Sequence, residues 1–339
     1  MTHPSVKRAF AAAAAAGALL AGLWSQPAAA QVTMKIGLAT INDAQHELAK
    51  RFAASVASSA PGALKVEIYP SEQLGSIPRM IEGLNLGTVE AWIGPPEFFV
   101  GIDPRYQIMG APGVVADSEH GLRLVSDPKF RDALLSFGDA RGIKGIGIIV
   151  YGPNVYGSRK AVRTVRDFEG LKIRVFGSPM HTTAMQKLGA TGVPMNPADA
   201  LQALQSGAID ANRTGMNLLV AFKYFDVVKF TTQVDNDAMI FSIFAVGKNW
   251  FDKLPGATQK AILGAASGVE REVFDFAVAG QRRSEAAWKE RGAELIKITG
   301  AEHAEFVKRM LSVGDEVTAK NPRIKDAYSL MLERARATR

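Results

Sequence analysis

Two alternating patterns of apolar residues predict the first strands and helices of the chain. Residues 32–38 alternate apolar and polar side chains, which predicts a strand, whereas residues 43–59 carry apolar side chains every four positions, which predicts a helix. The same two periods recur at residues 64–68 and 76–86, and residues 89–93 predict a third strand. Strands that alternate with helices through short loops favour a parallel sheet covered by helices.

A second unit of strands and helices follows. Residues 143–150 form a nearly continuous apolar run, typical of a strand buried on both faces. Residues 171–176 alternate again, and residues 258–291 predict a long helix. Residues 295–298 predict a last strand, after which two helical segments are expected.

The lack of a flexible linker bears on how the two units are joined. No stretch rich in Pro or in Gly and Ser separates them, which favours two domains connected by strands that cross a hinge. We predict domain I at residues 31–151 plus about 240–280, domain II at residues 152–239 plus about 281–320, and a C-terminal helical cap at about 321–339. The ligand crevice is expected between the domains, at the carboxyl ends of the strands.

The first thirty residues have the three parts of a secretory leader. Lys7 and Arg8 precede a charge-free run of 15 residues, and the sequence Ala28-Ala29-Ala30 forms a small-residue cleavage signal. A membrane span needs about 20 apolar residues, so a cleaved leader is favoured over a retained anchor. We therefore expect residues 1–30 to be removed after Ala30 and the protein to be exported to the periplasm.

Composition excludes several classes of site. The chain has 339 residues, of which 47% are apolar, and it contains no cysteine, which excludes a disulfide scaffold and a thiol nucleophile. Its five histidines are scattered without a metal-binding spacing. No serine has glycine on both sides at the spacing of a nucleophile elbow, and no phosphate-binding loop occurs. We predict no enzyme, no cofactor and no metal.

The net charge of +7 raises the question of nucleic acid. The densest basic patch contains Arg159, Lys160, Arg163 and Arg166, but no aromatic residue interleaves with it. Because bases stack on aromatic side chains, we predict that the protein does not bind nucleic acid.

Arg174 is the strongest candidate for a binding residue. It lies near the carboxyl end of the strand at residues 171–176, between Ile173 and Val175. A guanidinium held there would face the crevice and donate two parallel hydrogen bonds to a carboxylate. From its position alone, a surface or ion-paired arginine is an equal alternative. Ser178 and His181 lie close in sequence, and we interpret Ser178 as a helix cap rather than as half of a catalytic pair.

Several segments in a fixed order carry a family resemblance. The sequence resembles the TRAP-transporter solute receptors of the DctP type over most of its length, from about Met34 past Leu254. The matching segments are Gly170-Leu171-Lys172-Ile173-Arg174-Val175, Gly189-Ala190, Pro194-Met195, Ser71-Glu72-Gln73-Leu74-Gly75, residues 82–89, residues 200–207, Ile209-Asp210 and residues 250–255.

The resemblance implies a fold and a function. The fold it implies is α/β, a two-domain periplasmic-binding-protein-like architecture with hinge-crossing strands and a long bracing helix. Such receptors bind small organic anions between the domains and deliver them to a sodium-driven membrane permease. The family's carboxylate-binding arginine falls on Arg174.

Departures from the sialic-acid-binding relatives indicate a less polar site. Their second arginine, in a Gly-x-Arg segment, is replaced in Gly152-Pro153-Asn154, and their Glu-Asn pair reads Arg213-Thr214. Arg213 either replaces the second arginine or is solvated. We expect a monocarboxylate or dicarboxylate, with a keto acid, an aromatic acid or a branched aliphatic acid favoured. The predicted substrate-binding residues are Arg174, Asn154, Thr214, Asn217, Trp92, Met195, Phe241 and Arg213.

Two other functions stay open at this stage. A receptor that presents its ligand to a sensor kinase or chemoreceptor would have the same fold, and an exported enzyme is the less favoured alternative. We expect a monomer, although an apolar stripe on the long helix would also allow a dimer.

Overall fold

The computed structural model describes residues 31–339, so the predicted leader lies outside the described part of the chain. Strands and helices alternate along it. Within residues 31–339 the strands are β1 (Val32–Leu38), β2 (Leu64–Tyr69), β3 (Ala91–Gly94), β4 (Ile143–Ser158), β5 (Lys172–Val175), β6 (Thr191–Pro194), β7 (Ala211–Gly215), β8 (Phe230–Val234), β9 (Met239–Gly247) and β10 (Glu294–Ile298). The α-helices of the same residues are α1 (Ala44–Ser59), α2 (Ile77–Leu86), α3 (Ser118–Ser126), α4 (Pro128–Leu135), α5 (Pro179–Lys187), α6 (Pro197–Ser206), α7 (Met216–Ala221), α8 (Lys248–Asp252), α9 (Gly256–Gly268), α10 (Glu270–Glu290), α11 (Gly300–Met310), α12 (Val313–Thr318) and α13 (Pro322–Ala337).

The strands form two sheets that share β4. The first sheet has the order β2-β1-β3-β9-β4, in which β1 and β3 are parallel and β9 runs antiparallel to β3 and β4. The second sheet contains the end of β4, which pairs with β7 and β8 from Asn154 onwards, followed by the parallel strands β7, β5 and β6. Strand β10 pairs in parallel with β8. The predicted hinge-crossing strand is thus β4, which is irregular near Gly145 and Gly152 where its register shifts.

A long helix braces both sheets, as the resemblance implies. Helix α10 packs against β4 and α1 on the side of the first sheet and against α7 and β10 on the side of the second. The prediction of one continuous helix over residues 258–291 is wrong, because Val269 separates α9 from α10. Gly264, Gly268 and the β-branched Val269 have low helix propensity, which accounts for the break.

The region between β3 and β4 contains two helices that the sequence patterns did not predict. Asp117 accepts a hydrogen bond from His120 N at the start of α3, and Asp127 accepts one from Phe130 N at the start of α4. Side-chain caps of this kind stabilise short helices whose apolar period is too brief to be recognised.

Three helices, rather than the two predicted segments, follow the last strand. Helix α12 packs against α5, and α13 packs against α4 and residues 104–110. Within residues 31–339, no helix is both long and apolar enough to cross a membrane.

Candidate functional site

A cavity lies between the two sheets. Its walls come from the carboxyl ends of the parallel strands β1 and β3 in the first sheet and of β5 and β7 in the second, the position at which α/β sheets bind ligands. In this conformation the cavity is narrow, with a volume of about 20 Å³. The lining residues are Ala39, Thr40, Gln45, Ile77, Trp92, Gly94, Pro95, Phe98, Tyr151, Phe176, Pro197, Thr214, Leu218 and Ile240.

Arg174 lies directly behind this wall. Its neighbours Ile173 and Val175 point into the larger apolar core, which turns the Arg174 side chain to the opposite face of β5. That is the face of Phe176, which lines the cavity and whose ring centroid lies 4.9 Å from Arg174 Cζ. Arg174 Nε donates to the main-chain oxygen of Met195 at 2.9 Å, which fixes the orientation of the guanidinium.

The outer nitrogens of Arg174 are left without partners. The side chain is fully buried, and neither Nη1 nor Nη2 has a hydrogen-bond partner among the described residues. Burial lowers the pKa of Arg174 to about 10, so the side chain is still charged at neutral pH. A buried guanidinium with two free donors is unfavourable by itself, because neither its charge nor these N–H groups are compensated.

Two more predicted residues line the cavity. Thr214 on β7 and Trp92 on β3 both contribute to its wall. Trp92 Nε1 is buried without a hydrogen-bond partner in residues 31–339. Met195 contributes its main-chain oxygen to Arg174 instead of a wall surface. The predicted residues at or directly behind the cavity wall thus contribute the cation of Arg174, the hydroxyl of Thr214 and the ring of Trp92.

The structure places three other predicted residues away from the cavity wall. Asn154 donates to Ala238 O at 2.6 Å and lines a separate cavity near residues 233–239. Asn217 accepts a hydrogen bond from Ser284 Oγ at 2.8 Å. Phe241 is fully buried in the larger core. Each of these side chains has a partner or packing role in the fold.

Arg213 is buried, so the alternative in which it is solvated is wrong. Its Nε and Nη2 donate to the two carboxylate oxygens of Asp237 at 3.0 and 2.6 Å, and Nε also lies 3.1 Å from the Tyr156 hydroxyl. Burial opposes its charge, but Asp237 and Tyr156 outweigh burial and hold the pKa of Arg213 above its usual value. The two buried arginines thus differ, since Arg213 has a full set of partners and Arg174 has not.

A buried chain of polar groups continues from Arg213. Arg213 Nη1 donates to His181 Nδ1, so the imidazole carries its proton on Nε2, which donates to Glu97 Oε1 at 3.1 Å. Burial lowers the pKa of His181, and Arg213 lowers it further while Glu97 opposes the shift. Ser178 caps α5 by accepting from Met180 N at 3.2 Å, as predicted. His181 therefore belongs to a structural network.

Sequence reasoning missed several polar residues of the site. Asn212 pairs in register with Arg174 across β5 and β7, and both of its amide atoms are buried without partners in the described part of the chain. Asn212 shares a strand face with Thr214, but its pairing with β5 cannot be read from the local sequence. Gln45 and Tyr151 also line the cavity, but nothing in their local sequence marks them.

Among residues 31–339, no group of three or more His, Asp or Glu side chains is placed to hold a metal ion.

A family model and curated relatives match most of the chain. The family model described as bacterial extracellular solute-binding protein, family 7 (DctP), matches residues 38–321. The 2,3-diketo-L-gulonate-binding periplasmic protein YiaO of Escherichia coli is 29% identical over 82% of this chain and 85% of its own length. The C4-dicarboxylate-binding periplasmic protein DctP of Rhodobacter capsulatus is 28% identical over 76% of this chain and 78% of its own length.

A solved structure extends the likeness to the fold. The TRAP periplasmic solute-binding protein of Desulfovibrio salexigens with bound orotic acid superposes with a TM-score of 0.87 at 23% identity, covering 91% of this chain and 100% of that one. The two-domain α/β fold predicted from the sequence is therefore confirmed, as is the resemblance to DctP-type receptors. The chain belongs to the bacterial extracellular solute-binding proteins of family 7.

Proposed function

We propose that this protein is an extracytoplasmic receptor that binds a small organic acid through Arg174 and delivers it to a sodium-driven TRAP permease. The observation that carries the proposal is the fully buried guanidinium whose two Nη atoms have no partner among residues 31–339. Two parallel N–H donors match the two oxygens of one carboxylate. A bound carboxylate would supply the negative charge that no described residue provides at Arg174 Nη1 and Nη2.

The relatives support an acid as the ligand. The similar proteins are named for a diketo sugar acid and for C4-dicarboxylates, and the similar structure holds orotic acid. These ligands share a carboxylate and little else. In this proposal Arg174 binds the carboxylate that all these ligands share, and the residues of the cavity wall select among different acids.

The proposal also includes two domains that close on the ligand, export to the periplasm and release of the ligand without reaction. Residues 31–151 with about 240–280 form domain I, and residues 152–239 with about 281–320 form domain II. The leader at residues 1–30 directs export to the periplasm and is cleaved after Ala30. The ligand is released unchanged, because the protein acts as a receptor and not as an enzyme.

A thermal-shift screen of the ligand-free protein, residues 31–339, against a panel of organic acids tests this function. An acid at about 100 times its Kd adds about 2.7 kcal/mol of stability, which raises Tm visibly. We expect one class of acids to raise the Tm of the wild type but not of Arg174→Ala. Arg174→Lys keeps the positive charge but loses the two parallel N–H donors of the guanidinium, so we expect the acid to raise its Tm by less than that of the wild type.

The exposed Arg166 provides the matched control, since Arg166→Ala removes a positive charge from a residue that does not line the cavity. It should give the wild-type shifts. Acids that stabilise wild type and Arg174→Ala equally would contradict the proposed role of Arg174. A panel in which no acid shifts the wild type would contradict the ligand class.

A further inference from the structure

We propose that the site selects a monocarboxylate with one polar group on the carbon next to the carboxylate and an otherwise apolar body, and that Asn212 recognises that polar group. The inference rests on the proposed function, because it takes Arg174 as the carboxylate anchor. It adds the charge, the polarity and one contact residue of the ligand.

The charge balance of the site admits one carboxylate. None of the fourteen residues that line the cavity in the described part of the chain is charged. The other buried arginine, Arg213, already has both oxygens of Asp237 as partners. A second carboxylate on the ligand would be buried without a cation, which is strongly unfavourable.

The side chains of Thr40, Gln45 and Tyr151 at the far side of the cavity are paired within the protein, whereas Trp92 Nε1 has no partner among residues 31–339. Thr40 Oγ1 donates to Gln45 Oε1 at 3.1 Å, and Gln45 Nε2 donates to Ser242 Oγ at 3.0 Å. The Tyr151 hydroxyl donates to Asp43 at 3.1 Å. A polyhydroxylated sugar acid would have to break these bonds or leave its own hydroxyls unpaired, and both are costly.

The amide of Asn212, unlike those paired side chains, has no hydrogen-bond partner within the described part of the chain. Its side chain is fully buried, and neither Oδ1 nor Nδ2 has a hydrogen-bond partner in residues 31–339. It is the register partner of Arg174 and lies on the strand face of Thr214, which lines the cavity two residues further on. An amide offers both a donor and an acceptor, so it can bind a carbonyl or a hydroxyl. Beside Arg174, such an atom belongs to the carbon next to the carboxylate.

Aromatic rings form the wall that receives the ligand body. The Trp92 and Phe98 rings pack edge to face at 6.3 Å between centroids, and Phe98 and Phe176 pack at 5.7 Å. Ile77, Leu218 and Ile240 complete the apolar wall. Burying an apolar group against this surface stabilises the complex in proportion to the apolar area removed from water. A branched aliphatic or aromatic body therefore fits better than a polar one.

Calorimetric titration of acids with one carbon skeleton tests the inference. The probes are 4-methyl-2-oxopentanoate, 2-hydroxy-4-methylpentanoate and 4-methylpentanoate, compared with succinate and glucuronate. We expect at least one of the two 2-substituted acids to bind the wild type about tenfold more tightly than the unsubstituted acid, the gain expected of one hydrogen bond. Succinate and glucuronate should bind at least about a hundredfold more weakly.

Asn212→Leu keeps the size of the side chain and removes its polar atoms. We expect it to fold, because the neighbouring Tyr224 hydroxyl keeps Pro197 O as a partner at 3.4 Å. We also expect it to bind the substituted and unsubstituted acids within about twofold of each other. Thr231→Val is the matched control, because Thr231 Oγ1 is also buried without a partner in the described residues but lies on β8, which pairs with β4 and β10 rather than with β5. This control should keep the tenfold preference.

The outcomes separate the two proposals. Tight binding of succinate or glucuronate that depends on Arg174 would overturn the inference and leave the proposed function intact. An unchanged preference in Asn212→Leu would overturn the role of Asn212. Binding that ignores Arg174→Ala would overturn the proposed function and the inference together.

Discussion

The two buried arginines of this protein have opposite environments. Arg213 has Asp237, Tyr156 and His181 as partners, whereas Arg174 has one main-chain oxygen and two free nitrogens. Folding thus stabilises the charge of one arginine and leaves the charge of the other incompletely compensated. Retaining an unpaired buried cation lowers stability and is understandable only if it serves binding.

Replacing each arginine by methionine should therefore change stability in opposite directions. Arg174→Met removes an unsatisfied buried charge, so the free energy of unfolding of the ligand-free protein should rise by about 1–3 kcal/mol. Arg213→Met leaves the Asp237 carboxylate buried without a positive partner and should lower the free energy of unfolding by about 3–5 kcal/mol. Urea unfolding measures both values. A loss of stability in Arg174→Met as large as that in Arg213→Met would show that Arg174 is a structural residue.

His181 gives the protein a pH-dependent contribution to stability. Burial lowers its pKa in the folded state, whereas in the unfolded chain it titrates near its ordinary value of about 6.5. The unfolded state thus binds more protons just below this pH, so stability is lost as the pH falls through about 6.5. We expect the drop in unfolding free energy from pH 7.5 to 5.5 to be smaller in His181→Gln than in the wild type.

The comparison between these two proteins isolates His181 from other groups. Burial raises the pKa values of Asp43 and Glu270, which gives stability that is lost as the pH rises, but both residues are present in each protein. Parallel pH profiles for wild type and His181→Gln would contradict the assignment.

At the scale of elements, helix α2 shows how the apolar period of the sequence becomes packing. Leu84 is 1% exposed against the first sheet, whereas Leu86, two residues later, is 69% exposed. Gly87 then ends the helix with a positive φ of 73°, as expected for the predicted C-cap. The apolar face of α2 and its C-cap Gly87 are therefore enough to predict where this helix lies in the sequence and which side of it is buried.

The two leucines make a matched pair for testing this helix. Leu84→Ala should lower the free energy of unfolding by about 2–5 kcal/mol, because it leaves a cavity in the core. Leu86→Ala should change it by less than about 0.5 kcal/mol. Chemical unfolding of both variants checks the expectation, and equal losses would show that α2 does not pack as described.

Some elements and contacts lie beyond what local sequence carries. Helices α3 and α4 begin at side-chain caps of Asp117 and Asp127, and a short apolar period does not reveal them. Arg174 could be singled out because its strand position and the family resemblance agree. Asn212 could not, because its importance arises from pairing with a strand 38 residues away in the chain, which only the fold establishes.

For the molecule as a whole, the site depends on both sheets at once. The first sheet supplies Trp92 and the adjoining helix α1 supplies Gln45, whereas the second sheet supplies Arg174, Asn212 and Thr214. Arg174 is fully buried in this conformation, so an acid reaches it only if the sheets move apart. Strand β4 and helix α10 connect the two sides and are the elements about which such a movement would occur.

The central claim is that a carboxylate completes the partners of Arg174, and a crystal structure with the tightest-binding acid tests it most directly. The account predicts both carboxylate oxygens at about 2.7–2.9 Å from Arg174 Nη1 and Nη2, with the acid enclosed between the sheets. An acid bound elsewhere, with both Nη atoms still unpartnered, would contradict it.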